Sequence, residues 1–307
     1  MKDLSLICLV GATGTGKTAA ALALATALGG GVVNFDSRQV YAGLGVVTAQ
    51  PTPAERAVCP HALYGYLAID TPVRAGAFAG EILARARAYR EQGLAPILVG
   101  GTGLYLKSLV DGLAPIPDID PGIREGVINE CRALGSQVLH GRLQLVDPDY
   151  AAKIHPNDPQ RICRALEVFT ATGRTLTWWH GQTRRPAGLR VLKIGLAADL
   201  PALTPRLARR IELMLDAGAL EEVRLAFEQC PDRRAPGFSG IGCPELLGVL
   251  LDGLGLEQAR REWLHSTRAY AKRQLTWFHK DGEIAWHEAG DVAGIVARAA
   301  AFLESDS

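Results

Sequence analysis

The sequence has six cysteines, yet no two of them form a C-x-x-C pair. Cys8, Cys59, Cys131, Cys163, Cys230 and Cys243 are scattered, which argues against a zinc site and fits buried thiols in a reducing compartment. Net charge is also scarce: 33 Lys and Arg against 32 Asp and Glu leave only +1. A nucleic-acid partner would therefore be met by a local basic surface and not by the field of the whole molecule. No apolar run approaches the roughly 20 residues that span a bilayer, so no membrane association is expected. The apolar stretch at residues 4–10 runs straight into a glycine-rich turn without an A-x-A-like cleavage site. No export signal is read there, and a cytoplasmic protein is expected. Apolar residues, by contrast, make up 48% of the 307 positions, enough for a substantial core.

Residues 4–10 read as a fully buried strand, and a helix rich in alanine and leucine follows from Lys17 to about Leu28. Gly29-Gly30-Gly31 is expected to stop it, and Val32 to Phe35 to form a second strand that delivers Asp36 and Ser37. A helix near residue 80 runs to Gln92 with Gly93 as its C′ cap, and Pro96 to Val99 forms a further buried strand ending in Gly100-Gly101-Thr102-Gly103. This alternation predicts an α/β fold, a parallel sheet with helices on both faces. Pro115, Pro117 and Pro121 then break the pattern, a helical stretch follows to about Gly181, and Arg190 to Leu196 reads as a strand again. The expected organisation is a core in two parts, 1–114 and 190–307, with an all-helical insertion at 115–189.

Gly11-Ala12-Thr13-Gly14-Thr15-Gly16-Lys17-Thr18 has the form G-x-x-x-x-G-K-T between a buried strand and a helix. That is a P-loop, and the fold it predicts is P-loop NTPase-like. Its glycines let backbone N–H groups turn toward phosphate oxygens at a helix N-terminus of partial positive charge. Lys17 is expected to neutralise the outer phosphates, and the Thr18 hydroxyl to ligate Mg²⁺. The motif does not say which bond breaks. In parallel sheets ligands sit beyond the carboxyl ends of the strands, so Asp36 and Thr102 should converge with the P-loop on one crevice. Position alone leaves two readings open for each: a reacting or binding group, or an ordinary turn residue.

Longer blocks decide between them. Asp36-Ser37-Arg38-Gln39-Val40-Tyr41, Thr48-Ala49-Gln50-Pro51, Val99-Gly100-Gly101-Thr102-Gly103-Leu104-Tyr105, Asp158-Pro159-Gln160-Arg161-Ile162-Cys163-Arg164 and Thr267-Arg268-Ala269-Tyr270-Ala271-Lys272-Arg273-Gln274-Leu275-Thr276-Trp277-Phe278 occur in that order. Together they resemble the tRNA dimethylallyltransferases over nearly the whole chain. The resemblance implies transfer of a dimethylallyl group from dimethylallyl diphosphate to N6 of the adenosine just 3′ of the tRNA anticodon. It implies that Asp36 is the general base, that Thr102 contacts the adenosine, and that Arg210 joins residues 11–18 around the diphosphate. The implied tRNA contacts are Asp36, Ser37, Arg38, Gln39, Thr102, Arg124, Gln160, Arg161, Ile162, Cys163, Arg164, Gly242, Lys272, Arg273, Gln274, Thr276 and Trp277. The chain departs from the family pattern at Ala12, at Gln50 before Pro51, at Cys243-Pro244 after Ile241-Gly242, and at His279.

On a helix at 100° per residue, Trp263, Tyr270 and Trp277 form one stripe, read as core packing, with Arg261, His265, Arg268 and Lys272 opposite. The competing functions are a small-molecule P-loop kinase using ATP in the same loop, an adenylate prenyltransferase, and a non-catalytic RNA-binding module. A monomer is the default expectation.

Overall fold

The computed structural model describes residues 3–305. All seven residues of β1 (Leu4–Val10) are buried, because its alternate side chains enter two different cores. Leu4, Leu6, Cys8 and Val10 face one of them, and Ile7 and Leu9 face the other. After the P-loop come α1 (Lys17–Leu28), β2 (Gly30–Asn34), α2 (Pro53–Val58), β3 (His61–Ala62), α3 (Ala75–Glu91), β4 (Ala95–Val99) and α4 (Gly103–Val110). The glycine run does not simply end α1. Gly29 caps the helix in the left-handed region (φ 60°), while Gly30 and Gly31 already belong to β2. A Cβ at Gly31 would lie 2.5 Å from the Tyr89 ring, so close packing of α3 on the strand accounts for a glycine there.

The chain leaves this unit at Val110 and returns at Ala187; residues 111–186 form a second compact unit. That unit holds α5 (Pro121–Leu134), α6 (Ser136–Val146), α7 (Pro148–Ala151), α8 (Pro159–Thr172) and α9 (Leu176–Gly181). Its own core is built on Val127, Leu139, Leu143, Ile162, Leu166 and Val168. Asp158 caps α8 through the Arg161 N–H, and Pro159 occupies the first turn.

The first unit resumes with β5 (Leu189–Ala197), α10 (Leu200–Asp216), α11 (Ala219–Gln229), α12 (Cys243–Asp252), α13 (Leu256–Phe278), β6 (Ala285–Glu288) and α14 (Val292–Glu304). The strands form one parallel sheet ordered β3-β2-β4-β1-β5-β6. Ile7 of β1 pairs with Ile97 of β4 on one side and Leu192 of β5 on the other. α1 and α14 cover one face, and α3 with α10 to α13 the other. Among the described residues no helix is long and apolar enough to cross a membrane.

Candidate active site at the strand ends

Three strand ends meet at the site: the P-loop follows β1, Asp36 follows β2, and Thr102 follows β4. β1 lies between β4 and β5 while the chain runs from β1 to β2, so the sheet reverses its direction of growth beside the P-loop. That is the place where open α/β sheets bind ligands.

The loop is held from behind. Ala12 packs with Leu203 and Leu207 of α10 and with Ala271 and Leu275 of α13. The Thr15 hydroxyl donates to Ala12 O at 2.9 Å, and the Thr13 N–H donates to Gln274 Oε1 at 2.9 Å. The Thr13 and Thr15 side of the loop is thus committed to the protein, while α1 begins at Lys17 and leaves its first-turn N–H groups without carbonyls inside the helix. Lys17 Nζ folds back and donates to Gly11 O (2.9 Å) and Ala12 O (2.8 Å). As a residue Lys17 retains some exposure, but its amine is enclosed by the loop. Burial pushes the amine down to about 8, opposed by the Asp36 charge and reinforced by Arg210.

Asp36 is pinned at both ends of its backbone by the fully buried Asn34. Its N–H donates to Asn34 Oδ1 (2.7 Å), and its carbonyl accepts from Asn34 Nδ2 (3.0 Å), which also reaches Leu63 O. One carboxylate oxygen accepts from the Arg38 N–H at 2.9 Å, an Asx-type turn. The other points at the Gly101 turn, where an added methyl would lie 3.6 Å from it. Asp36 is therefore both turn former and half-buried carboxylate, and its charge acts on Lys17, Arg210, Tyr64 and Tyr270.

Thr102 Oγ1 is buried without a hydrogen-bonding partner. It sits near enough to the Tyr270 phenol to favour that phenol's ionised form, while burial and the Asp36 charge push the other way and hold the phenol well above its usual range. Proximity without a hydrogen bond of acceptable geometry leaves the Thr102 oxygen orphaned. A buried hydroxyl without a protein partner retains its hydrogen-bonding capacity for a group entering the site.

Arg210 lies on α10, its guanidinium disfavoured by burial and supported chiefly by Asp36. The sequence reading missed Arg206, one turn earlier on the same face. A methyl at Gly16 would lie 3.9 Å from Arg206 Nη2, so a second guanidinium borders the phosphate loop. Its spacing of four from Arg210 was the available signal. Asn34 and Tyr270 were missed as well; nothing in sequence separates a bracketing asparagine from any other polar residue near a strand end.

The expected tRNA contacts divide into three groups. Arg124, Gln160, Arg161 and Arg164 are exposed on the second unit; Arg161 lies 3.4 Å from Asp158, and Arg164 pairs with the buried Glu167 at 2.7 Å. On α13 of the first unit, Arg268, Lys272, Arg273, Thr276 and Trp277 are exposed, and Arg273 stands over the Tyr270 ring at 5.7 Å. Others are turned inward. The side chains of Ile162 and Cys163 are buried in the core of the second unit, which leaves only their main chain for an outside contact. Ser37 is buried and Gln39 Nε2 donates to Thr48 O and Ala49 O, whereas Arg38 stays exposed while donating to Ser239 Oγ and Pro236 O. The Gly242 N–H donates to Glu245 Oε2 at the start of α12, and Gln274 is buried. The expectation that Trp263, Tyr270 and Trp277 form one core stripe needs correction: Trp263 is buried, but Trp277 is 41% exposed and rests on Gly103 at the site's edge. Pro244 falls in the first turn of α12, where no intrahelical N–H is required, so the Cys243-Pro244 departure is compatible with the helix.

The donor set suits Mg²⁺ carried on phosphate. Thr18 offers an exposed hydroxyl at the head of α1, and no group of three or more His, Cys, Asp or Glu fit to hold a metal occurs among the described residues. Magnesium commonly binds in this way, through few protein oxygens plus substrate phosphates.

Comparison with known proteins identifies the family. A family model described as IPP transferase matches residues 39–281. The tRNA dimethylallyltransferase of Nitratidesulfovibrio vulgaris (strain DSM 19637 / Miyazaki F) is 52% identical, covering 98% of this chain and 94% of that protein. The one from Oleidesulfovibrio alaskensis is 50% identical over 94% and 95%. Among solved structures, the tRNA isopentenylpyrophosphate transferase of Bacillus halodurans aligns with TM-score 0.73 at 30% identity, over 99% of this chain and 98% of that one. A eukaryotic dimethylallyltransferase acting on tRNA aligns with TM-score 0.80 at 26% identity, over all of this chain and 79% of that one. The fold is accordingly P-loop NTPase-like, and the chain belongs to the IPP transferase family.

Proposed function

We propose that this chain is a tRNA dimethylallyltransferase, moving a dimethylallyl group from dimethylallyl diphosphate to N6 of the adenosine 3′-adjacent to the anticodon and releasing diphosphate. The observation that carries the reading is the meeting of a phosphate loop, a free carboxylate edge and an orphaned buried hydroxyl at neighbouring strand ends. A loop alone would suit a kinase; the Asp36 and Thr102 pair beside it suits an acceptor that must lose a proton.

In the reaction the allylic C–O bond breaks with its electron pair leaving on the diphosphate. The N6 lone pair attacks the allylic carbon, and the N6 proton passes to the Asp36 carboxylate. General-base help of this kind is typically worth about 10²–10⁴-fold. Lys17, Arg206, Arg210 and the amides opening α1 balance the charge developing on the leaving group, as preorganised donors do. Thr18 and the diphosphate oxygens would hold Mg²⁺, which supplies further charge neutralisation there. Thr102 gives its hydroxyl to the base, which must leave its stack to reach the site. The exposed cations of α13, with Arg124, Arg161 and Arg164, bind tRNA phosphates. The reading takes a cytoplasmic monomer as the working unit.

Incubation with labelled dimethylallyl diphosphate and either unmodified tRNA or free AMP tests this. Label in tRNA alone supports the reading. Label in AMP assigns the chain to adenylate prenylation instead, and label in neither overturns both.

A further inference from the structure

Gln274 is 5% exposed on α13, yet its amide is an acceptor and a donor that both need partners. Oε1 accepts from the Thr13 N–H at 2.9 Å, and Nε2 donates to Gly101 O at 2.8 Å. Thr13 belongs to the loop after β1 and Gly101 to the turn after β4, and these two strands are paired neighbours. One side chain therefore ties the diphosphate loop to the turn that carries Thr102. The space it occupies exists only because residue 101 is glycine: a Cβ there would lie 2.1 Å from Nε2. One turn before Gln274 on the same helix, Tyr270 faces the Asp36 charge.

The two bonds require opposite polarity. An accepting atom must face Thr13, and a donating atom must face Gly101. Transfer between two bound substrates depends steeply on their alignment, and a misplacement near 1 Å costs about 10²-fold. We infer that Gln274 is a positioning residue that fixes the phosphate loop against the Gly101–Thr102 turn, and so sets the separation between leaving diphosphate and acceptor amine. The inference rests on the transferase reading above. It differs from the direct tRNA contact implied for this position by resemblance, because the amide is buried and each of its polar atoms is already held by the protein.

Gln274→Glu isolates the polarity. Its carboxylate still accepts from Thr13 but has no proton for Gly101 O, whereas the protonated carboxyl restores both bonds. Burial raises a carboxyl's affinity for its proton, so restoration falls within a practical pH range. Single-turnover transfer is measured with saturating tRNA and donor for wild type, Gln274→Glu and Gln274→Met from about pH 5.5 to about pH 8, on either side of a raised glutamate pKa. Affinity for tRNA is measured alongside.

At the alkaline end both variants should lose on the order of 10²-fold in rate while tRNA affinity holds. The ratio of Gln274→Glu to wild type should climb as pH falls, and that of Gln274→Met should stay level. Gly101→Ala crowds the amide without removing it, and combined with Gln274→Met it should cost no more than the worse single change. A level Gln274→Glu ratio, a loss confined to tRNA affinity, or additive Gly101→Ala and Gln274→Met effects would each overturn the inference. An inactive wild type would instead overturn the transferase reading.

Discussion

Asn34 grips Asp36 at both of its backbone polar groups, accepting from its N–H at 2.7 Å and donating to its carbonyl at 3.0 Å. The asparagine is itself the last residue of β2, so the sheet, through one buried amide, aims the carboxylate at the Thr102 turn. Asn34→Leu keeps the volume and removes the aim. It leaves buried backbone groups unsatisfied at about 1–3 kcal/mol each, so a lower melting temperature is expected together with a single-turnover rate that falls further than that loss of folded protein accounts for. A rate per folded molecule equal to wild type would contradict the role.

The Lys17 amine gives a pH signature. Its folded value of about 8 lies below the ordinary 10.5, so between those values the unfolded chain holds a proton that the folded one has released. Stability from this group therefore rises with pH across that window and is penalised below it. Bound diphosphate favours the charged amine and raises its pKa again. Diphosphate binding above about pH 8 should thus take up a proton, read by calorimetry in buffers of different ionisation enthalpy, and Lys17→Met should remove that uptake.

Arg206 borders Gly16 on the same α10 face as Arg210. Arg206→Ala should weaken inorganic diphosphate binding about tenfold, the low end of the about 1.5–3 kcal/mol typical of charged hydrogen bonds, since the side chain is solvent-exposed. Arg210→Ala, at the more enclosed position, should cost more. Unchanged diphosphate affinity in Arg206→Ala would remove it from the site.

Exposed cations predict salt dependence. Arg268→Ala and Lys272→Ala should each weaken tRNA binding and flatten the slope of log affinity against log salt by about one unit. Arg164, already paired with Glu167, should flatten it less. Equal slopes for all variants and wild type would show that α13 does not meet phosphate.

Much of this was legible from residues alone. β1 and α1 begin and end where the buried run and the alanine-rich run do, because a fully buried strand and a strong helix former leave little to tertiary context. β3 and β6 were not foreseen; they have two and four residues and sit at the sheet edges, too short for any period to register. The P-loop was readable because motif and strand-end position coincide; position put Asp36 and Thr102 beside it but left their roles open, and only the resemblance supplied them. Gln274 takes its role from partners 261 and 173 residues away, and no local pattern encodes such a pairing; Asn34 acts on a residue two positions on, but its polarity alone does not announce the bracket. Ile162 and Cys163 mark the opposite case, a motif that includes the apolar residues holding its helix down as well as the ones facing out.

The central claim is that one site joins a dimethylallyl donor to a tRNA adenosine with Asp36 taking the proton. It is tested most directly by single-turnover reaction of wild type and Asp36→Ala with bound unmodified tRNA, followed by nucleoside mass spectrometry and diphosphate release. The account predicts one dimethylallyl group on N6 of the adenosine 3′ of the anticodon per diphosphate released, and at least about a 10²-fold slower rate in Asp36→Ala. An Asp36→Ala rate equal to wild type, or diphosphate release without modified adenosine, would contradict it.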